Sequence, residues 1–363
     1  VALEPDGAPE TVVAMAEHLA DKRFDYYVNK TTHGYSLNTR GLLQRVRTPF
    51  FAILPHDDMW HPDYLGLLLR RLEERPDASA AHGDWFTIGR YTGTHSKSVS
   101  DGPLFERLLT WYLDGAEGWA WHGLCRSEAL DKPFPSNEFD GFAVECEWSL
   151  HLMMRGPVAY EPRAMYLKRE QPEDSETAVS VGWRNRTSED WLRRALTHNR
   201  QMLVSPLAAA GFPPEQLRIL ELAAETAMIR RSVIFFQGRY NLTADEEARV
   251  AALFGGLEAE GSDAARMIKA RLHLAISRHA FRSGRRDSGL QHAEAAVACD
   301  PEHGDAQMHL ARVYLSFDRV TDSMACMLAA ARLMPLTPGM GSLQMDTAKK
   351  LSQLGLKSEA AGA

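Results

Sequence analysis

The chain has 363 residues, 45% hydrophobic and 25% charged, a globular balance that excludes disorder and collagen-like repeats. A formal net charge of −7 argues against nucleic-acid binding through bulk positive charge, and no apolar run approaches the ~18 residues of a transmembrane helix. Cys125, Cys146, Cys299 and Cys326 are scattered, with no Cys-x-x-Cys pair. Neither a disulfide framework nor a structural zinc site is expected, and a reducing compartment fits.

Val1-Ala2-Leu3 reads as a strand and Glu4-Pro5-Asp6-Gly7 as a turn. Val12, Met15, Ala16 and Leu19 then mark one face of a helix. Tyr26-Tyr27-Val28 is a second strand, and a polar loop from Asn29 to Gly34 leads to a helix with Leu42, Leu43 and Val46 inward. Phe50-Phe51-Ala52-Ile53-Leu54 is apolar throughout, as in a strand buried on both faces. Leu65, Leu68, Leu69 and Leu72 recur at helical spacing after Pro62. This alternation predicts an α/β domain over residues 1–175, with a mostly parallel sheet flanked by helices. Its functional loops should follow the strands ending at Leu3 and Leu54. Gln171 to Trp183 is a polar connector, and a helical stretch is expected over 176–265, rich in Ala, Leu, Arg and Glu.

Residues 266–363 hold an internal repeat. Ala296 and Pro301 are matched by Ala330 and Pro335, both 34 positions on. That period, with a small residue in the second helix and Pro after it, resembles the tetratricopeptide repeat. Ala311 and Tyr314 occupy the small and aromatic positions of its first helix, where the earlier copy has Ser277 and Ala280, and Gly289 stands where Ala is usual. The resemblance implies a protein partner or self-association through this region. Two ordinary helical hairpins bracing the rest of the chain are the plain alternative.

The segment Leu54-Pro55-His56-Asp57-Asp58-Met59-Trp60-His61-Pro62-Asp63-Tyr64-Leu65 carries the densest chemistry. Adjacent carboxylates at the end of a buried strand suit a divalent cation that bridges phosphate oxygens. They also suit a simple turn cap and the dipole of the following helix. Trp119 and Trp121 can stack on sugar rings or pack as one side of a strand, and His122 can bond a hydroxyl or phosphate. Lys168 and Arg169 form a basic pair in Tyr166-Leu167-Lys168-Arg169-Glu170, which by itself reads as a solvated pair, and Asp84 stands in His82-Gly83-Asp84-Trp85 after a small-residue strand.

In sequence order, these segments resemble the family-2 glycosyltransferases, which have the GT-A (Rossmann-like) nucleotide-sugar fold. The 54–65 run is similar to the family's Asp-x-Asp-Asp-x-Trp-x-Pro-x-Tyr-Leu, and residues 4–11 to its Asp-Asp-Gly-Ser-x-Asp-x-Thr loop. His33-Gly34-Tyr35-Ser36-Leu37-Asn38 is similar to its Gly-x-x-x-Asn stretch, and Val144-Glu145-Cys146-Glu147 with Gly156 to its Glu-Asp-x-Asp-Leu helix. The resemblance covers roughly residues 1–170. It implies a nucleotide-sugar site at Glu4, Asp6, Asn38, Asp58, Lys168 and Arg169, and Mg²⁺ or Mn²⁺ at Asp57. Glu145 falls on the catalytic base, and Glu147, Asp84 and His122 are second-carboxylate or acceptor candidates.

Pro55 departs from the family pattern where the first metal-motif Asp should be, Val144 replaces an acid, and Glu145 stands for an Asp. The family's opening strand, with its Pro-x-Tyr-Asn turn, is expected to precede residue 1. The resemblance implies an inverting, metal-dependent transferase that moves a sugar from a nucleotide-diphosphate donor, a UDP-sugar, to a glycan or protein hydroxyl. It also implies a cytoplasmic chain, free or peripheral at the inner membrane face. The competing expectation is a non-catalytic scaffold with a decayed transferase site. Glu145 and Glu147 are equally first-turn acids on a helix with Val144, Trp148 and Leu152 inward.

Overall fold

A computed structural model describes residues 2–3, 13, 18, 21–24, 27–28, 30, 34–55, 57–89, 92–95, 101–129, 144–170, 197, 204–235, 244–334 and 338–353. The chain divides into two compact units, Val1–Arg186 with Thr197–Phe212, and Thr187–Leu196 with Pro213–Ala363. Among the described residues no helix is long and apolar enough to cross a membrane.

In the first unit, β1 (Ala2–Leu3) pairs in parallel with β2 (Tyr27–Val28), and α1 (Gly34–Leu43) follows. β3 (Phe50–Ala52) is shorter than the apolar run predicts, because the chain leaves the ladder at Ile53. β4 (Met59–Trp60) and α2 (Tyr64–Glu74) come next. Tyr64, Leu68 and Leu72 form the buried stripe of α2 at i, i+4 and i+8. β5 (Ala80–Gly89), β6 (Gly93–His95) and α3 (Leu104–Leu113) precede a single 3-10 turn at Trp119–His122. β7 (Leu124–Arg126), α4 (Val144–Arg155), β8 (Val158–Glu170) and α5 (Ser205–Ala209) complete the unit.

The main sheet runs β3-β7-β5-β8-β4, with β6 on β5. It is an α/β arrangement as expected, but the sheet is mixed. β5 and β8 are parallel, whereas β7 and β4 run antiparallel to their neighbours. Both are short returns of two or three residues, and the length of a strand that alternates with helices does not reveal the direction of such a return. Along β3, Phe50 and Ala52 pack on the cluster of Tyr64, Leu68, Leu72 and Tyr166, while Phe51 meets Trp148 of α4 edge-on at 5.7 Å. Side-chain alternation therefore puts α2 on one face and α4 on the other.

β8 carries an irregularity: Gly83 pairs with Glu161 but Asp84 with Met165, so Pro162, Arg163 and Ala164 bulge from the ladder. Only glycine fits at residue 83, since a Cβ there would lie 2.1 Å from the Ala164 carbonyl oxygen.

The second unit is helical throughout its described residues: α6 (Pro214–Phe235), α7 (Ala244–Glu260), α8 (Asp263–Arg282), α9 (Arg286–Cys299), α10 (Gly304–Ser316), α11 (Val320–Leu333) and α12 (Pro338–Gln353). The 34-residue period seen in the sequence is built into the backbone. α9 and α11 begin and end 34 positions apart, and α8 and α10 end 34 positions apart. The left-handed turn residues Gly284 (φ 76°) and Asp318 (φ 59°) keep the same offset. Ser277 and Ala311 are fully buried equivalents, as are Ala296 and Ala330, because small residues let paired helices approach.

Candidate functional site

The turn after β3 is fastened to the far end of β8. Asp58 Oδ2 accepts a hydrogen bond from the Tyr166 hydroxyl at 2.5 Å, and Oδ1 accepts from the Arg169 backbone N–H at 2.8 Å. Met59 pairs with Leu167 and Trp60 with Tyr166 in the adjoining antiparallel ladder. The segment 166–170 is thus the end of a strand whose partners hold it in line.

Burial pushes the Asp58 carboxyl above the usual range. Asp57 pushes the same way, while the Tyr166 hydroxyl, the Arg169 N–H and Lys168 oppose it. Asp58 therefore serves the fold with both its oxygens. Asp57 lies half-buried beside it and could hold a cation. Among the described residues no three His, Cys, Asp or Glu side chains stand close enough to hold a metal. The residues present fit Mg²⁺ or Mn²⁺ only as an ion shared between Asp57, substrate phosphate oxygens and water, an arrangement usual for Mg²⁺.

A wall of aromatic and imidazole rings adjoins this turn. Buried Tyr166 lies 4.5 Å from the His122 ring and 5.9 Å from Tyr64, whose hydroxyl donates to the His122 carbonyl at 2.7 Å. Burial pushes His122 down to about 3, with Lys168 and then His82 adding to the effect. His82, inside β5, is pushed by burial down to about 4. Its Nδ1 lies 3.1 Å from the Gly83 carbonyl and so carries the proton, leaving Nε2 as an acceptor. Among the described residues, His82 Nε2 and His122 Nδ1 are both buried with no hydrogen-bond partner. Both rings are neutral hydrogen-bonding groups at physiological pH. Next to them the Tyr160 hydroxyl donates to Asp84 Oδ1, which ties that carboxylate to β8.

Glu145 opens α4 with Glu147 in the same first turn, both half-buried. A Cβ on Gly118 would lie 2.1 Å from Glu145 Cγ, so this glycine lets Glu145 sit directly against the start of the 119–122 turn. Trp119 and Trp121 are not alternate strand residues. They occupy the 3-10 turn, and both are buried, Trp121 meeting Trp148 edge-on at 5.4 Å. Core packing, rather than sugar stacking, accounts for them.

The structure thus joins Asp57, Asp58, His122, Lys168 and Arg169 in one neighbourhood, with Asp84 on the adjoining strand and Glu145 packed on the segment that leads to His122. Asn38 lies on α1, which packs against β1. Glu4, Asp6 and His56 lie outside the described residues. Tyr166, Tyr64 and His82 were not among the expected site residues. The only sequence signal for Tyr166 was its two-residue spacing from Lys168 on one strand face.

No curated protein matches the chain in sequence. In fold, the chain is similar to the crystal structure of S. aureus TarS 1-349, with a TM-score of 0.50 and 12% identity over 78% of this chain and 79% of that one. Residues 5–134, which include the Asp57–Asp58 turn and the 119–122 turn, match the family model of Glycosyl transferase family 2, and this part of the chain is similar to that family.

Proposed function

We propose that the first unit is an inverting glycosyltransferase that moves a sugar from a nucleoside-diphosphate donor, a UDP-sugar, to a hydroxyl of a glycan or protein acceptor. The observation that carries this reading is the fastening of the Asp57–Asp58 turn to Tyr166 and Arg169. It brings the Asp57–Asp58 carboxylates to the Lys168–Arg169 end of β8 through partners 108 and 111 positions away in the chain. Lys168 acts electrostatically on both Asp58 and His122, as a group that meets a diphosphate beside a cation-binding carboxylate should. Mg²⁺ or Mn²⁺ at Asp57 would offset charge on the diphosphate oxygens. Lys168 and Arg169 add positive charge where the leaving group departs.

Glu145 takes the proton of the acceptor hydroxyl while that oxygen attacks the anomeric carbon. The bond from that carbon to the diphosphate oxygen breaks, and the nucleoside diphosphate leaves with its electron pair. Neutral His82 and His122 are suited to sugar hydroxyls, which need hydrogen bonds rather than charge. The 34-residue period supports a tetratricopeptide-like reading of residues 266–363, with a protein partner or self-association as its use.

Glu145→Gln tests the mechanism. Turnover, read as UDP release, should fall by ~10²–10⁴-fold with donor affinity kept, and full activity would remove Glu145 from the reaction. Pro55 in the metal motif and the structural use of Asp58 favour a second reading, a scaffold with a decayed site. Calorimetry with UDP, with and without Mn²⁺, separates the two: metal-dependent binding supports the transferase, and no nucleotide binding supports the scaffold.

A further inference from the structure

Three rings from three successive helices meet inside the second unit: Phe254 of α7, His273 of α8 and His292 of α9. The Phe254 ring lies 4.5 Å from His273 and 6.3 Å from His292, and the two imidazoles are 5.1 Å apart. Their Nδ1 atoms face each other at 2.9 Å. The helices are fastened on either side of this pair. One turn on from His273, Ser277 Oγ donates to the Gly289 carbonyl at 2.6 Å and joins α8 to α9. One turn back, Lys269 Nζ is ion-paired with Glu258 at 2.7 Å and joins α8 to α7. The pair therefore sits on backbone that is held in place before any ligand arrives.

Repeat packing does not require two histidines here. The positions 34 residues on from His273 and His292 are Gln307 and Cys326. A contact of 2.9 Å between two ring nitrogens needs one N–H and one lone pair. In the neutral pair one Nδ1 thus holds the proton and the other presents its lone pair. When that proton moves to Nε2 of its own ring, both Nδ1 lone pairs are free, and neutral imidazole is the form that ligates a metal. No net proton is released. With metal–nitrogen bonds of about 2.0–2.1 Å, two nitrogens 2.9 Å apart subtend about 90° at the ion. That is the angle between neighbouring ligands in square or octahedral coordination, whereas a tetrahedral ion needs about 3.3 Å between them.

We propose that His273 and His292 form a two-imidazole site for a divalent transition-metal ion of square or octahedral preference, Cu²⁺ first among them. Imidazole suits this class of ion, and Cu²⁺ binds nitrogen ligands most tightly of the first-row divalent series. Both residues are half-buried, so solvent water can fill the other coordination positions. Two nitrogen ligands do not suit Mg²⁺, which takes oxygen, and the site does not depend on the transferase reading of the first unit.

Calorimetric titration of the full chain with Cu²⁺ at pH 7, in excess Mg²⁺, tests this. One Cu²⁺ per chain is expected in the tightest class of site, with Zn²⁺ at least about tenfold weaker. The chain has 14 histidines, so variants must locate that site. His273→Gln and His292→Gln should each weaken it by about tenfold or more, since even the supporting residues of metal sites cost that much when lost. His61→Gln, at an exposed histidine of the first unit, should leave it unchanged. Where a variant fails to fold, the wild type decides: its electron paramagnetic resonance spectrum with one equivalent of Cu²⁺ should show two imidazole nitrogens. An unchanged tightest site in either α8 or α9 variant, its loss in His61→Gln, Zn²⁺ binding as tight as Cu²⁺, or fewer than two imidazole nitrogens would each overturn the proposal.

Discussion

Tyr166→Phe removes one hydroxyl and leaves the ring in contact with His122 and Tyr64. What is lost is the 2.5 Å donor to Asp58. A hydrogen bond to a charged acceptor contributes ~1.5–3 kcal/mol, and Asp58 is half-buried, so the expected loss at pH 7 is about 2 kcal/mol. The sign of the pH dependence follows from what holds the Asp58 carboxyl. Burial raises it above the unfolded value of ~3.9, and the Tyr166 bond opposes that rise. A carboxyl with a raised folded-state value takes up its proton more readily in the folded chain. Its contribution to stability therefore falls as pH rises through the window between the unfolded and folded values. Removing the donor raises the folded value further. The penalty of Tyr166→Phe is then full where Asp58 is ionised and shrinks as acid neutralises it. Urea unfolding of wild type, Tyr166→Phe, Asp58→Asn and the double variant at pH 7 and pH 4.5 measures this. The coupling energy should be ~1–2 kcal/mol at pH 7 and smaller at pH 4.5. Other titrating groups, His82 and His122 included, are common to all four proteins and cancel. A coupling indistinguishable from zero at pH 7, or one equal at both pH values, would refute the fastening role given to this pair.

Gly118→Ala should displace Glu145, because the new Cβ would fall 2.1 Å from its Cγ. Misplacement of a reacting group by about 1 Å costs ~10²-fold, so UDP release should drop steeply while UDP affinity holds, and unchanged turnover would detach Glu145 from the site. His82 is buried and held down at about 4, below its unfolded ~6.5. It contributes stability above pH ~6.5 that is lost as pH falls towards 4, so His82→Gln should flatten the acid side of the unfolding profile, and an unaltered slope would count against it. In α9, Gly289→Ala gains ~1 kcal/mol of helix propensity, but its Cβ would meet the Phe281 ring at 2.3 Å. Overpacking costs ~1–3 kcal/mol, so the net change should be destabilising. Phe281→Leu should rescue it, since Leu315 and Ser323 stand 34 positions on from Phe281 and Gly289; failure of that rescue in thermal melts would deny the two hairpins equivalent packing.

The parts of the fold that were legible in the sequence are those decided within one short window. The run from Phe50 to Leu72 declares a buried strand, a turn and an amphipathic helix, because apolar length and 3.6-residue spacing are local properties. The 34-residue repeat declared the α8–α11 hairpins for the same reason: every turn of the pattern recurs in sequence. What stayed hidden depends on distant backbone. Trp119 and Trp121 have the spacing of strand residues, yet they sit in a turn that ends where β5 passes so close that a Cβ on Gly123 would lie 2.3 Å from the Ala81 carbonyl oxygen. Lys168 and Arg169 have the composition of a loop, yet Thr87 and Ile88 extend their strand by parallel pairing.

The same limit applies to the two carboxylates at the site. Asp57 and Asp58 are adjacent and chemically identical in the sequence, and spacing alone cannot divide the work between them. Partners more than a hundred residues away make the division. Tyr166 and the Arg169 amide occupy both oxygens of Asp58, which turns it into the clasp that holds the turn. A carboxylate with both oxygens already bonded to the fold is less free to turn towards a ligand that must exchange in each catalytic cycle. On the transferase reading proposed above, with Pro55 in the place of the first acid, Asp57 is the acid of the motif assigned to the substrate. Loss of metal-dependent UDP binding should accordingly follow Asp57→Asn with the fold intact, while Asp58→Asn should first be seen in stability. If Asp58→Asn instead removed UDP binding without lowering the melting temperature, the division of labour between the two would be reversed.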